Sequence, residues 1–489
     1  MILRSSTGPR AWTWNYMPLE VRLMILEAIA YQKNPGWASL ASVCREWQAV
    51  LEKANFHKLK LRVPCLDDFE SMVPPHKRGL VSHLWLDIEL PRYTSACCSK
   101  KVSPPVKNSS FVSDAIWELF SILSTWKPAN NLTLELNVLS PSDSEHWFKN
   151  SYFSSDHVED DEDTINSARE TGIPLHDPQH GWVHGQQVTA PPRSAMQRLS
   201  RPIHLTFREM LPQVDAVTCL LIRRQLRRCI SPFGFGLLLS KFDRLEHISY
   251  EPWAPYEKID TEFHQGGLAF TIRNNLPQTL NRLVVFEDAH EFYHALPQRA
   301  TPVPSSNLID HGLGIGAAFA SKSRGLQHLA VSFIITAEEF FRRCRSTWSW
   351  PHLQSLAFTS QLLQDDWGKR DDIETLLCRA GVFVQQMPKL HTFVIWNGGK
   401  ANACAFIYRV DGDGASITWR GTWRLEMSPD IVNSWRQANS TRSSFELQIK
   451  QERIQAVIAS HGDAIYHLEL PCEVIHPASL WQIRREVGS

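Results

Sequence analysis

The period of the hydrophobic positions changes at about residue 61 and again near residue 399. Before residue 61, apolar residues recur at helical spacing. Val21, Met24, Ile25, Ala28 and Ile29 form one set, and Leu40, Val43, Trp47, Val50 and Leu51 a second. Pro18 suits the first position of a helix, where no backbone N–H is needed, and Glu20 complements the positive end of the helix dipole. Asn34-Pro35-Gly36 ends the first helix. So small a helical unit has little core of its own. It should therefore hold apolar surface ready for the rest of the chain or for a partner.

Beyond residue 61 a unit Leu-x-x-apolar-x-apolar recurs: LEHISY at Leu245, LNRLVV at Leu280, LQHLAV at Leu326, LQSLAF at Leu353 and LHTFVI at Leu390. Weaker copies are LWLDIEL near Leu84, LTLEL at Leu132 and YHLEL near Leu468. Each unit alternates as a strand does, and helical stretches intervene. AVTCLLIRRQLRRC and TAEEFFRRCRSTW are two predicted helices. On the first, Arg223, Arg224, Arg227 and Arg228 form a solvated basic face opposite Leu220, Leu221 and Leu226, one that could hold phosphates. Strands alternating with helices in a recurring unit predict an α/β fold, an irregular leucine-rich-repeat-like solenoid with parallel strands over residues 62–398. Insertions at about 93–113 and 154–197, and the segment PQRATPVPSSN, lack any period and are predicted as loops or disorder.

Residues 399–489 read as a C-terminal α+β cap over the open end of the array. ACAFIYRV and ASITWRGTWRLEM flank Asp411-Gly412-Asp413-Gly414 as a β-hairpin. MSPDIVNSWRQA and FELQIKQERIQAVIASHG are predicted helices, and YHLELP a closing strand. Within the repeated units, period-two geometry sends the apolar positions inward. Ser249, Glu251, Val284, Phe286, Ser332, Thr359, Val394 and Trp396 then fall on the opposite, concave face. Left open, that face is a candidate substrate-binding surface with Phe286 and Trp396 as aromatic anchors; covered, it is a second core.

Composition narrows the function classes. Across 489 residues, Lys+Arg 51 balances Asp+Glu 51, so no net charge draws the chain to nucleic acid or an acidic membrane. The ten cysteines include no CxxC pair, which argues against a zinc ribbon or a redox motif and suits a reducing compartment. MILRSSTGPR lacks the apolar core of a signal peptide, and no run approaches the ~18 apolar residues of a membrane span. A cytoplasmic or nuclear protein is expected.

Three patterns mimic catalytic motifs. His290, Glu291 and His294 spell HExxH, the zinc-hydrolase pattern, and define the alternative class of zinc-dependent hydrolase. Pro297 would stop that helix just after the second histidine, so the match reads as coincidence. His176, His180 and His184 are spaced by four, but Pro178, Gly181 and Gly185 oppose the helix that would align them. Gly312, Gly314 and Ala317 imitate a dinucleotide fingerprint without the preceding strand or the later acid. No metal, cofactor or catalytic residue is expected.

The first 61 residues carry a resemblance. Met17-Pro18-Leu19-Glu20-Val21, the Ile25-Leu26 pair and the Val43-Cys44-Arg45-x-Trp47 core resemble an F-box over residues 14–61. PWxPYE after LEHISY, and the TW-hairpin before CEVIHPASLWQIR, look like a family of filamentous-fungal F-box proteins. The resemblance implies a non-catalytic substrate receptor that docks on a Skp-type adaptor of a cullin (SCF) ubiquitin ligase. In that role Met17, Pro18, Leu19, Val21, Ile25 and Leu26 would face the adaptor, Trp47 would support the unit from within, and a protein substrate would bind the repeat-like domain. An F-box scaffold acting outside a ligase is the neighbouring alternative.

Overall fold

A computed structural model describes residues 14–32, 34–94, 106–128, 131–144, 176–184, 186–189, 192, 194–195, 201–255, 258–288, 314–412, 414–440 and 445–486. Its strands are β1 (Lys58–Arg62), β2 (His83–Glu89), β3 (Leu132–Leu139), β4 (Trp182–Val183), β5 (Gln186–Gln187), β6 (Val217–Ile222), β7 (His247–Tyr250), β8 (Arg282–Phe286), β9 (His328–Thr336), β10 (Ser355–Thr359), β11 (Thr392–Gly399), β12 (Asn402–Asp411), β13 (Gly414–Gly421) and β14 (Leu447–Arg453). β4 and β5 pair only with each other. The other twelve form one open sheet in chain order, so the protein is a mixed α/β fold. From β1 to β11 every pairing is parallel; β11, β12 and β13 are antiparallel; β14 is parallel to β13.

The leucine units determine this order through their register. Leu59, Leu84, Leu134, Leu220, Ile248, Leu283, Leu329, Leu356 and Phe393 are partners in succession across nine neighbouring strands. Parallel strands need a crossover between them, and in every connection from β1 to β11 except that between β3 and β6 a described helix supplies it. They are α3 (Leu66–Met72), α4 (Val106–Ser124), α5 (Pro232–Leu239), α6 (Lys258–Asn274), α7 (Ile315–Lys322), α8 (Ala337–Arg343) and α9 (Arg370–Val384), with α10 (Pro429–Ser440) before β14. Their buried side chains share one apolar core with the leucine row, from Phe69 through Phe235 and Phe340 to Trp435. Local chemistry starts several of them: Ser231 Oγ accepts from Gly234 N at 3.2 Å, and Thr336 Oγ1 accepts from Glu339 N at 3.3 Å. Before the sheet stand α1 (Leu19–Gln32) and α2 (Arg45–His57); α11 (His461–Leu468) and α12 (Pro477–Glu486) follow it.

Several elements differ from their predicted form. AVTCLLIRRQLRRC is β6 followed by a buried loop, not a helix. FELQIKQERIQ contains the edge strand β14, and YHLEL ends a helix, α11, where Glu469 takes φ +43°. Part of the segment predicted as loop, from Val106 to residue 113, opens α4. The expected boundary at 398/399 falls inside the β11–β12 pair, so hydrogen bonding runs continuously across it. Residues 402–453 extend the sheet, and among the described residues the chain after β14 lies over its other face. No helix among the described residues is long and apolar enough to cross a membrane.

Candidate functional site

The N-terminal helices carry a group of exposed apolar side chains. α2 is tied to the sheet, running directly into β1, with Glu52 bonded to Lys77 at 2.9 Å. Hydrogen bonds from Gln48 and Lys77 lower the Glu52 pKa and keep that anchor ionised. α1 sits outside α2. Glu46 of α2 accepts from Trp14 Nε1 at 2.9 Å and from Arg22 at 3.1 Å, and the Trp14 and Trp47 rings lie 5.2 Å apart. Gly36, at φ +84°, makes the turn between the two helices, a conformation that few side chains tolerate.

α1 is apolar almost all round, yet only Leu26 is buried. Leu19 is 51 % exposed, Met24 67 %, Tyr16 78 % and Tyr31 81 %, with Val21 and Val43 also exposed. A helix apolar on every side is ordinarily buried on every side. Of the six residues expected at an adaptor, Pro18, Leu19 and Val21 are exposed, and Met17 and Ile25 are half-buried. Leu26 is fully buried within the unit and is not available to a partner. Tyr16, Met24 and Tyr31 join the outer surface without having been singled out; their i, i+7 spacing from Met24 to Tyr31 was the available signal. Trp47 is half-buried against Trp14, in the supporting position expected of it.

The concave face is not an open surface. Ser249, Glu251, Val284, Phe286, Ser332, Thr359, Val394 and Trp396 are all buried. The chain from residue 454 to 483 covers them: Ile458, Ala464, Ile465, Leu468, Val474, Ile475 and Ile483 complete a second core with Val284, Phe286, Val394 and Trp396. Both faces of the parallel strands are thus occupied, as is usual for such sheets. A recognition patch needs accessible side chains, and none of these eight has them.

Beside that second core the four arginines are buried as well, which corrects their reading as a solvated face. Arg223 pairs with Glu135 at 2.5 Å, Arg224 with Asp288, and Arg228 with Asp143, bidentately. Glu251 accepts from Arg224 N at 3.0 Å, His476 N at 2.7 Å and Ser479 Oγ at 2.5 Å, which joins the arginine loop to the C-terminal segment. Burial alone would raise the Asp288 pKa, but Arg224 and His461 outweigh it and hold the carboxyl well below its usual range. The signal for this cluster was acidic: Glu135, Glu251 and Asp288 sit within or just after apolar strands, where a carboxylate must be paired.

Glu287 is the exception. It is buried, its Oε1 has no hydrogen-bond partner among the described residues, and burial pushes its pKa up to about 7. An unfolded-chain glutamate ionises near 4.5. Between these values the folded state holds the extra proton, so this group's contribution to stability falls as pH rises from about 4.5 to 7. Glu287→Gln should therefore stabilise the protein by roughly 1–3 kcal/mol at pH 8 and hardly at all at pH 4.5. Urea unfolding at the two pH values measures the difference; an equal effect at both would reject the assignment.

His290, Glu291, His294 and Gly312 lie outside the described residues. Gly314 and Ala317 open and enter α7, a loop-to-helix start as expected. His176, His180 and His184 lie in a turn and a short ribbon rather than on one helix face; His180 bonds Asp177 at 2.6 Å. No group of three potential metal ligands occurs among the described residues.

The arrangement defines a protein with an outward apolar helical surface joined to an α/β sheet whose faces are both occupied. Residues 275–476, less than half of the chain, match DUF6546, a family of unknown function. That span runs from the end of α6 to just before α12, so it takes in the strands from β8 onward and most of the covering segment, but neither α1 nor α2. No curated protein matches the chain.

Proposed function

We propose that the chain is a substrate receptor of a cullin-type ubiquitin ligase, docking on a Skp-type adaptor through residues 14–61. The observation that carries this reading is the apolar outer surface of α1, which leaves Leu19, Val21, Met24 and Tyr31 uncovered on a helix fixed from behind by α2. Exposed apolar surface of this kind marks a protein interface. The sheet domain is then the substrate-presenting part, a leucine-rich-repeat-like solenoid of irregular repeat. Its work is positional: it raises the concentration of substrate near a charged conjugating enzyme, with no bond made or broken by its own side chains. The setting is the cytoplasm or nucleus.

Leu19→Ala with Met24→Ala tests the docking. Each removes an apolar anchor worth about 2 kcal/mol at a well-packed interface, so together they should lower adaptor affinity by about 100-fold or more. Both side chains are exposed, so the melting temperature should not move. Adaptor binding by the wild-type chain that survives the double substitution would remove α1 as the docking element.

A further inference from the structure

A cleft of about 530 Å³ opens beside the turn between β11 and β12. That volume is within the ~300–1,000 Å³ of small-ligand sites. Gln364 and Asp365 reach it from the loop after β10, and Asn397 and Lys400 from the end of β11 and the turn beyond. The cleft therefore lies past the carboxyl ends of two adjacent parallel strands, where open α/β sheets carry ligands.

Its walls are polar and held in place. Asn397 Nδ2 donates to Leu363 O at 3.0 Å, and Asn397 Oδ1 accepts from Gly398 N at 3.0 Å. Asn402 Oδ1 accepts from Trp423 Nε1 at 3.1 Å. The turn is fastened to the covering segment, Ala401 N donating to Ile458 O at 2.9 Å, with Ala401 at φ +61°. That left-handed conformation is uncommon away from glycine and recurs at ligand sites. Bonding capacity remains. Gln364 takes Lys369 on its oxygen at 2.8 Å, and Asp365 takes Arg370 on one oxygen at 2.9 Å. The amide N–H groups of Gln364 and the second oxygen of Asp365 are left for a ligand.

The lining selects among ligands. No Leu, Ile, Val, Met or Phe lines the cleft among the described residues, so it offers little to the apolar anchors that grip a peptide. Asp365 opposes an anion, and Lys400 a cation. Beside the cleft stands an aromatic platform. Trp367 is 87 % exposed, far from the burial usual for tryptophan. It opens a short helical turn that Asp366 caps, accepting from Gly368 N at 2.9 Å. Arg370 joins this platform to the cleft: its guanidinium lies 5.3 Å from the Trp367 ring and 4.5 Å from the Trp423 ring while it bonds Asp365.

We propose that this cleft binds a neutral saccharide, with hydroxyls on Gln364 and Asp365 and one sugar face on Trp367. Sugar hydroxyls donate and accept at once, as the carboxamides of the walls do. The C–H face of a pyranose ring is flat and apolar, and it meets the negative face of an indole. The site belongs to the β10–β12 region and not to α1, so it stands apart from the adaptor reading.

Binding of the labelled full chain to an array of immobilised neutral glucans, mannans, galactans and chitin oligosaccharides tests the site, with calorimetric titration of the best-bound trisaccharide. At least one class should bind. Trp367→Ala should weaken the titrated trisaccharide by about tenfold, the loss expected of one aromatic contact, and Gln364→Ala severalfold. Both positions are exposed, so the melting temperature should not move and shows that the variants are folded. No binding to any class on the array would overturn the proposal. Binding that survives both substitutions would remove the cleft as its site. Tighter binding of inorganic phosphate or trialanine than of any trisaccharide would overturn the saccharide assignment.

Discussion

Arg224→Met should destabilise the protein by about 3–5 kcal/mol, because it takes the guanidinium away from the buried Asp288 carboxylate and leaves it only its contact with His461. Asp288→Asn alone should also be costly. The double variant Arg224→Met/Asp288→Asn should recover much of the loss, since two neutral groups need no mutual compensation. Denaturant unfolding of the three variants completes the cycle. Near-additive costs would show that the pair is not coupled. The pH dependence carries its own sign. The folded Asp288 pKa is depressed, so the pair's contribution is present above the ordinary value of 3.8 and is lost as pH falls further.

Trp396→Ala should cost about 3–5 kcal/mol through the cavity it leaves between the sheet and its cover. Its ring meets Phe333 edge-on at 5.2 Å, and nearby a Cβ on Gly398 would stand 2.5 Å from Ala464 Cβ. Trp396→Phe should be far milder, because Trp396 Nε1 has no hydrogen-bond partner among the described residues and its removal ends an unsatisfied buried donor. The covering segment should respond first: in Trp396→Ala, limited proteolysis should cut residues 454–476 before any strand of the sheet. Cleavage elsewhere first would show that the cover does not depend on this ring.

The strands were legible where one rule governed them. Leucine at the head of each unit and alternation behind it mark β7 to β11, because one face always meets helices. Failures came where two rules compete. Leu220, Leu221 and Leu226 with the arginines fit a helical wheel, but Leu220 and Leu221 face opposite sides of β6, and the arginines are drawn inward by acids distant in sequence. Glu446, Gln448, Lys450 and Glu452 favour helix by propensity, yet pairing with β13 holds the stretch as an edge strand with one buried residue, Leu447. α1 was recognised as a helix, but its outward residues were not all identified, since apolar residues on every side give no inward direction.

The covering segment also has a history within each molecule. Ser479 meets Glu251, and Gln482 meets Gln225, across 228 and 257 residues of chain. Residues 454–486 leave the ribosome after every strand they shelter. Until then the nascent sheet shows solvent a stripe of aromatic side chains and carboxylates linked to arginine, the kind of incomplete surface on which chaperones act. Closure joins partners distant along the polypeptide, a kind of contact that forms slowly in general. Quality control would meet this protein as a nearly finished sheet awaiting its cover.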